Sequence, residues 1–225
     1  MGASSTKLEP LKPVDNVPVR QLFGTWFVIA VMPTIFEKGA HNAIETYSAG
    51  KTDGAVDIDF RYNKNALDGP LKKLPQTGSS WYDDKTAGWK VSPFWPVKMP
   101  YLVIDKSKTA LDNDAAWFVV GTSASSNVAS SPAAESRPPR HRRDVHPIHW
   151  FICAQVGYPS RAYVWVMARR PEMPRSVLDD IKKRLVTEHQ YPEGLPNLVE
   201  VPQSWDRDST AQFGWKRRGV DVSPK

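Results

Sequence analysis

Cysteine is almost missing from this chain: Cys153 stands alone among 225 residues. One thiol cannot form an intramolecular disulfide or a Cys-based zinc site, so the fold must stand on its core, as suits a reducing compartment. Long apolar runs are missing too. No stretch approaches the ~20 residues needed to cross a bilayer, and the first 20 residues carry three Lys or Arg and no apolar signal segment. The expectation is a cytoplasmic chain, neither membrane-spanning nor secreted. Catalytic motifs are equally scarce. There is no G-x-S-x-G elbow, and the carboxylates Asp57 and Asp59 fall on the watered side of a strand, where solvation accounts for them. His141, His146 and His149 sit among four arginines that oppose a cation. No catalytic residue, metal or cofactor is therefore expected. The net charge of +6 is scattered rather than gathered into a stripe, its densest groups being 137–143, 182–184 and 216–218, so no nucleic-acid partner is expected.

What the chain does have is aromatics, nine Trp, seven Tyr and eight Phe, with 13 Gly and 20 Pro clustered between apolar runs. That punctuation predicts an all-β chain with many turns. Gly24 to Val31 is β-branched and aromatic and stops at Met32-Pro33. Asn42 to Ser48 follows, and then Val56-Asp57-Ile58-Asp59-Phe60-Arg61-Tyr62, where strict alternation puts Val56, Ile58, Phe60 and Tyr62 inward. Further strands are predicted around 71–81, 88–94, 101–105 and 115–120, at the regular spacing of a meander. From Pro174 the period changes: Val177, Leu178, Ile181, Leu185 and Val186 recur at helical spacing and end near His189. Many strands followed by one helix argue for an eight-stranded antiparallel up-and-down barrel with one C-terminal helix packed outside.

Gly24-x-Trp26 on the first strand, with Arg169 ending the last, resembles the lipocalin signature. So do Phe36 to Gly39, Trp89 to Lys98, Tyr101 to Asp105, Gly157 to Arg161 and Tyr163 to Arg169. The match is to the branch holding bacterial outer-membrane lipocalins, apolipoprotein D and plant temperature-induced lipocalins. Trp26 and Arg169 suit a plug at one barrel end, since a guanidinium over an indole is worth about 0.5–2 kcal/mol when partly desolvated, and Gly24, Trp26 and Arg169 are assigned to structure. The resemblance implies a pocket at the other end for a small hydrophobic ligand such as a fatty acid, lysophospholipid or sterol. Its expected lining is Ile58, Phe60, Trp89, Tyr101, Trp117, Tyr163 and Trp165, with Phe94 and Trp95 at the rim. The second functional expectation is a membrane-associated stress or lipid-repair protein. Met1-Gly2-Ala3-Ser4-Ser5-Thr6 fits the pattern for myristoylation of Gly2, which would give peripheral membrane contact. Bacterial relatives are anchored through an N-terminal Cys that this chain lacks, so their location is not expected to carry over.

One interruption breaks the resemblance. Residues 120–155, 36 in all, begin with Val120-Gly121 and are followed by a second copy of that dipeptide, Val156-Gly157, and removing them restores the family pattern. Two readings stand: a translated intron, in which case Cys153 and three of the five His residues leave the working protein, or a genuine disordered insertion between the last two strands. The expected organisation is a flexible leader over 1–15, a barrel over 16–205 with this interruption, and a disordered tail over 206–225.

Overall fold

The computed structural model describes residues 8–122 and 161–218, apart from 16, 53, 81–87, 95–96, 210 and 212. Eight strands form the ring: β1 (Gly24–Met32), β2 (Ala40–Ala49), β3 (Ala55–Lys64), β4 (Leu71–Ser80), β5 (Gly88–Phe94), β6 (Val97–Lys106), β7 (Trp117–Gly121) and β8 (Val164–Ala168). Each pairs antiparallel with the next, and β1 pairs with both β8 and β2, which closes the barrel and leaves no free edge. Helix α1 (Arg175–Thr187) and the short β9 (Val199–Glu200) follow; β9 adds to β1 beyond the stretch that β2 covers. No helix among the described residues is long and apolar enough to cross a membrane.

Two layers of core divide by strand parity. Alternation along β3 sends Val56, Ile58, Phe60 and Tyr62 into the barrel interior, where they join Trp26, Tyr47, Tyr101, Phe118, Trp165 and Met167. The outward set from β1 and β6 to β8, including Ile29, Ile104, Val119, Val164 and Val166, shares a second cluster with the apolar stripe Leu178, Ile181 and Leu185 of α1. Arg184 ties the helix to β6 through Asp105 at 2.8 Å, a half-buried pair.

The structure corrects three expected boundaries. The leader is anchored from Leu11, which is buried in the outer cluster, and the Val14 amide donates to the Val103 carbonyl at 2.7 Å. Val120 and Gly121, placed in the insertion by sequence, belong to β7: Val120 is buried in the interior, and Gly121 pairs with Val164. Gly121 has no room for a side chain, because a Cβ there would meet the Tyr191 hydroxyl at 2.8 Å and Leu11 at 2.9 Å. The tail is not wholly irregular either. Strands β10 (Trp205–Arg207) and β11 (Trp215–Arg217) form a hairpin, and Trp205, Phe213 and Trp215 each meet the Phe27 ring edge-on. Burial of those aromatics outweighs the polarity of their neighbours. The rest of the interruption, 123–160, lies outside the described residues.

Candidate ligand site inside the barrel

The barrel has one sealed end. A 3-10 turn at Val19–Leu22 crosses it just before β1, and its last residue accepts a 2.7 Å hydrogen bond from Trp26 Nε1. Arg169, directly after β8, lies 3.6 Å over the Trp26 ring and donates to the carbonyls of Leu111, Thr25, Gln21 and Phe23. Gly24, at φ +98°, leaves the space into which Arg169 fits, since a Cβ there would stand 3.0 Å from its Nη1. Burial lowers the Arg169 pKa to about 10, which still leaves it charged at neutral pH. Trp26 packs edge-on against Phe118 at 4.5 Å. Gly24, Trp26 and Arg169 come together at this end of the barrel.

Strand direction puts the β1–β2 and β3–β4 connections at the opposite end. There Tyr62 donates to the Phe36 carbonyl at 2.7 Å, while Ile35 (62% exposed), Phe36, Leu67 and Leu71 face solvent. Glu37 turns inward from the same loop. Its Oε1 accepts from Trp165 Nε1 at 2.7 Å and its Oε2 from the Thr34 amide at 2.9 Å, so both oxygens are satisfied.

Of the nine expected lining residues, Ile58, Phe60, Tyr101 and Trp165 lie in the interior cluster, and Tyr163 packs half-buried against it. Tyr101 and Trp165 rings are 5.8 Å apart, Trp165 and Tyr163 6.2 Å. Trp117 is a correction: it belongs to the outer cluster, with the Arg184 guanidinium 5.3 Å from its ring. Every neighbour on β7 is apolar because both faces of that strand are covered, so the sequence carried no alternation to set the phase. Trp89 and Phe94 are strand positions of β5, Trp89 in register with Tyr101, but their side chains lie outside the described residues, as do Trp95 and Gly2. Among the described residues no three His, Cys, Asp or Glu gather as metal ligands.

The group that sequence reasoning missed is Glu45. It lies opposite Trp26 and Phe60 in register, only 3% exposed, with Oε2 accepting from Tyr101 at 2.9 Å and from Tyr47, whose hydroxyl also meets that of Tyr101. Its Oε1 has no hydrogen bond among the described residues. Burial, opposed by the two phenols and reinforced by Glu37, raises the Glu45 pKa to about 7, and burial also pushes both phenols well above the ordinary tyrosine value. The residue pattern alone does not disclose this group. A charged residue ordinarily marks the outward side of a strand; here Ile44 faces outward under the tail hairpin and Glu45 faces in.

A cleft of about 1180 Å³ also opens outside the barrel, lined by Thr46, Asp57, Asp59, Arg61, Thr77 and Trp215 among others. Its walls mix charged side chains with the apolar Ile44, Pro75 and Phe213.

Comparison with known proteins agrees with this geometry. The family described as "Lipocalin-like domain" matches residues 17–129. A curated relative, the outer membrane lipoprotein Blc of Citrobacter freundii, is 25% identical over 188 residues, covering 82% of this chain and 77% of that protein. Lobster apocrustacyanin A1 superposes with a TM-score of 0.51 at 11% identity, covering 82% and 79% of the two chains, and apocrustacyanin C2 with 0.50 at 11%, covering 82% and 78%. The relative's outer-membrane location overturns the cytoplasmic expectation and points to the cell envelope. The missing N-terminal Cys was too thin a reason to set that location aside. With an eight-stranded ring, a Gly24-x-Trp26 and Arg169 plug, an outer helix and a family match across half its length, the chain belongs to the lipocalins, proteins that bind small hydrophobic ligands.

Proposed function

We propose that this lipocalin carries or sequesters a small membrane-derived lipid inside the barrel and performs no chemistry on it. The observation that supports this most is the aromatic and aliphatic wall of Ile58, Phe60, Tyr101 and Trp165, sealed at one end by Arg169 and Trp26. Affinity would come from burying apolar ligand surface, at about 25 cal/mol per Å². Glu45 and its two phenols form a proton-sharing group but stand with no nucleophile, metal or strained turn beside them among the described residues, so binding is the simpler role. An envelope location supports a cargo drawn from membrane lipids. The test is native mass spectrometry of protein purified from its own cells. One lipid class at one per chain is expected; protein that comes empty and takes up no lipid on incubation with an envelope extract would overturn the reading.

A second reading, action at a bilayer surface, has its own observation: Ile35, Phe36, Leu67 and Leu71 are exposed together at the open end. Co-sedimentation with liposomes that is lost in the Ile35→Ser, Phe36→Ser double variant supports it; binding unchanged in that variant contradicts it.

A further inference from the structure

Glu45 is buried where a ligand would lie, and half of its carboxyl is unused. Oε2 takes both phenols, while Oε1 has no hydrogen bond among the described residues. Glu37, by contrast, spends both oxygens on protein donors. Among the described residues Oε1 is not one of the fully enclosed side-chain atoms without a partner, which are Asn63 Oδ1 and Thr122 Oγ1, so it borders open space, and an acceptor bordering space inside a ligand-holding barrel suits a ligand's donor.

We propose that Glu45 Oε1 is the polar anchor for the ligand, and that the ligand is an amphiphile whose head donates hydrogen bonds, a protonated long-chain amine foremost, rather than a fatty-acid anion. This rests on the reading of the barrel interior as the ligand site. The groups that face Glu45 are Tyr47 on its own strand, Tyr101 from β6 and Glu37 from the β1–β2 loop, with Trp26 and Phe60 beside it in register. The cation at the sealed end, Arg169, is committed to Trp26 and four carbonyls. A fatty-acid carboxylate placed here would become a third acid and would find no uncommitted cation among the described residues. An ammonium has three donors and no acceptor, and it complements Oε1 directly. An alcohol does so with one donor. Because an ammonium favours ionised Glu45, its binding expels the Glu45 proton, and acidification releases it.

The test compares three ligands with the same tail, dodecylamine, dodecanol and dodecanoate, titrated by calorimetry into the full chain at about pH 9 and about pH 5, either side of the Glu45 titration. At about pH 9 the amine is expected to bind roughly tenfold or more tightly than dodecanoate. That preference collapses at about pH 5 and in Glu45→Gln, a variant that keeps the shape of the side chain and still takes dodecanol. Dodecanoate binding as tightly as the amine at about pH 9, or a preference that survives in Glu45→Gln, overturns the proposal and leaves the barrel reading standing. Failure of all three ligands to bind overturns the barrel reading itself.

Discussion

Two charged groups of this barrel, the half-buried Arg169 and the buried Glu45, are treated in opposite ways. Arg169 at the sealed end gives four hydrogen bonds to carbonyls and lies against an indole. Glu45, farther in, shares one oxygen between two phenols, and its other oxygen has no hydrogen bond among the described residues. A charge with four of its five N–H donors spent on carbonyls holds structure together and has little left to offer a ligand. A carboxyl with one oxygen left over has an acceptor to offer. The difference separates the scaffold of this protein from its site.

The comparison breaks most easily at the plug. Trp26→Ala removes a fully buried indole with its Phe118 and Arg169 contacts, and should cost about 3–5 kcal/mol in urea unfolding, alike at acid and alkaline pH. A pH-dependent loss would mean that the plug is not a purely structural charge.

Glu45→Gln sharpens the other half. The folded pKa of Glu45, about 7, stands above the ordinary 4.5, so the folded state holds a proton that the unfolded state releases. The resulting penalty is absent below about pH 4.5, grows through the window between the two values and is complete above about pH 7. The Gln variant should therefore gain on wild type as pH rises, by on the order of 3 kcal/mol between about pH 4 and about pH 8. A gap that stays constant across that window would show Glu45 to be solvated.

Two tryptophans extend the contrast to the inner and outer faces. Trp165→Phe removes the bond to Glu37 and should weaken ligand binding several-fold, as read by calorimetry. Trp117→Phe loses only the Arg184 contact outside, costing up to about 1 kcal/mol of stability with binding unchanged. Equal binding losses in the two variants would refute the inward and outward assignment.

The smallest effect concerns the interruption. Deleting 120–155 or 122–157 gives the same polypeptide, because Val120-Gly121 and Val156-Gly157 are identical. Strand β7 keeps its residues either way. The shortened loop should raise stability by about 1–2 kcal/mol through loop closure and leave binding intact. A deletion variant that misfolds would give the segment a structural role, against the translated-intron reading.

The scaffold was far more legible in the sequence than the site. Strict alternation in β3 and the helical stripe of α1 each meet one wet and one dry side, so pattern alone phased them. Pattern failed where a strand is covered twice, as at Trp117, and where the interior admits a charge, as at Glu45. In β2 the register shifts between His41 and Ile44, which resets the alternation just before the buried acid. The tail hairpin was concealed by its charges, although Trp205, Phe213 and Trp215 at close spacing were a usable signal. An open acceptor cannot be read from sequence, because it depends on which partners other strands fail to supply.

The most direct measurement is a crystal structure with dodecylamine bound at alkaline pH. The account predicts the nitrogen within about 3 Å of Glu45 Oε1, with the tail running along Phe60, Tyr101 and Trp165 towards the open end. A nitrogen seated at Glu37 with the tail pointing inward, or a chain bound in the outer cleft, would contradict it.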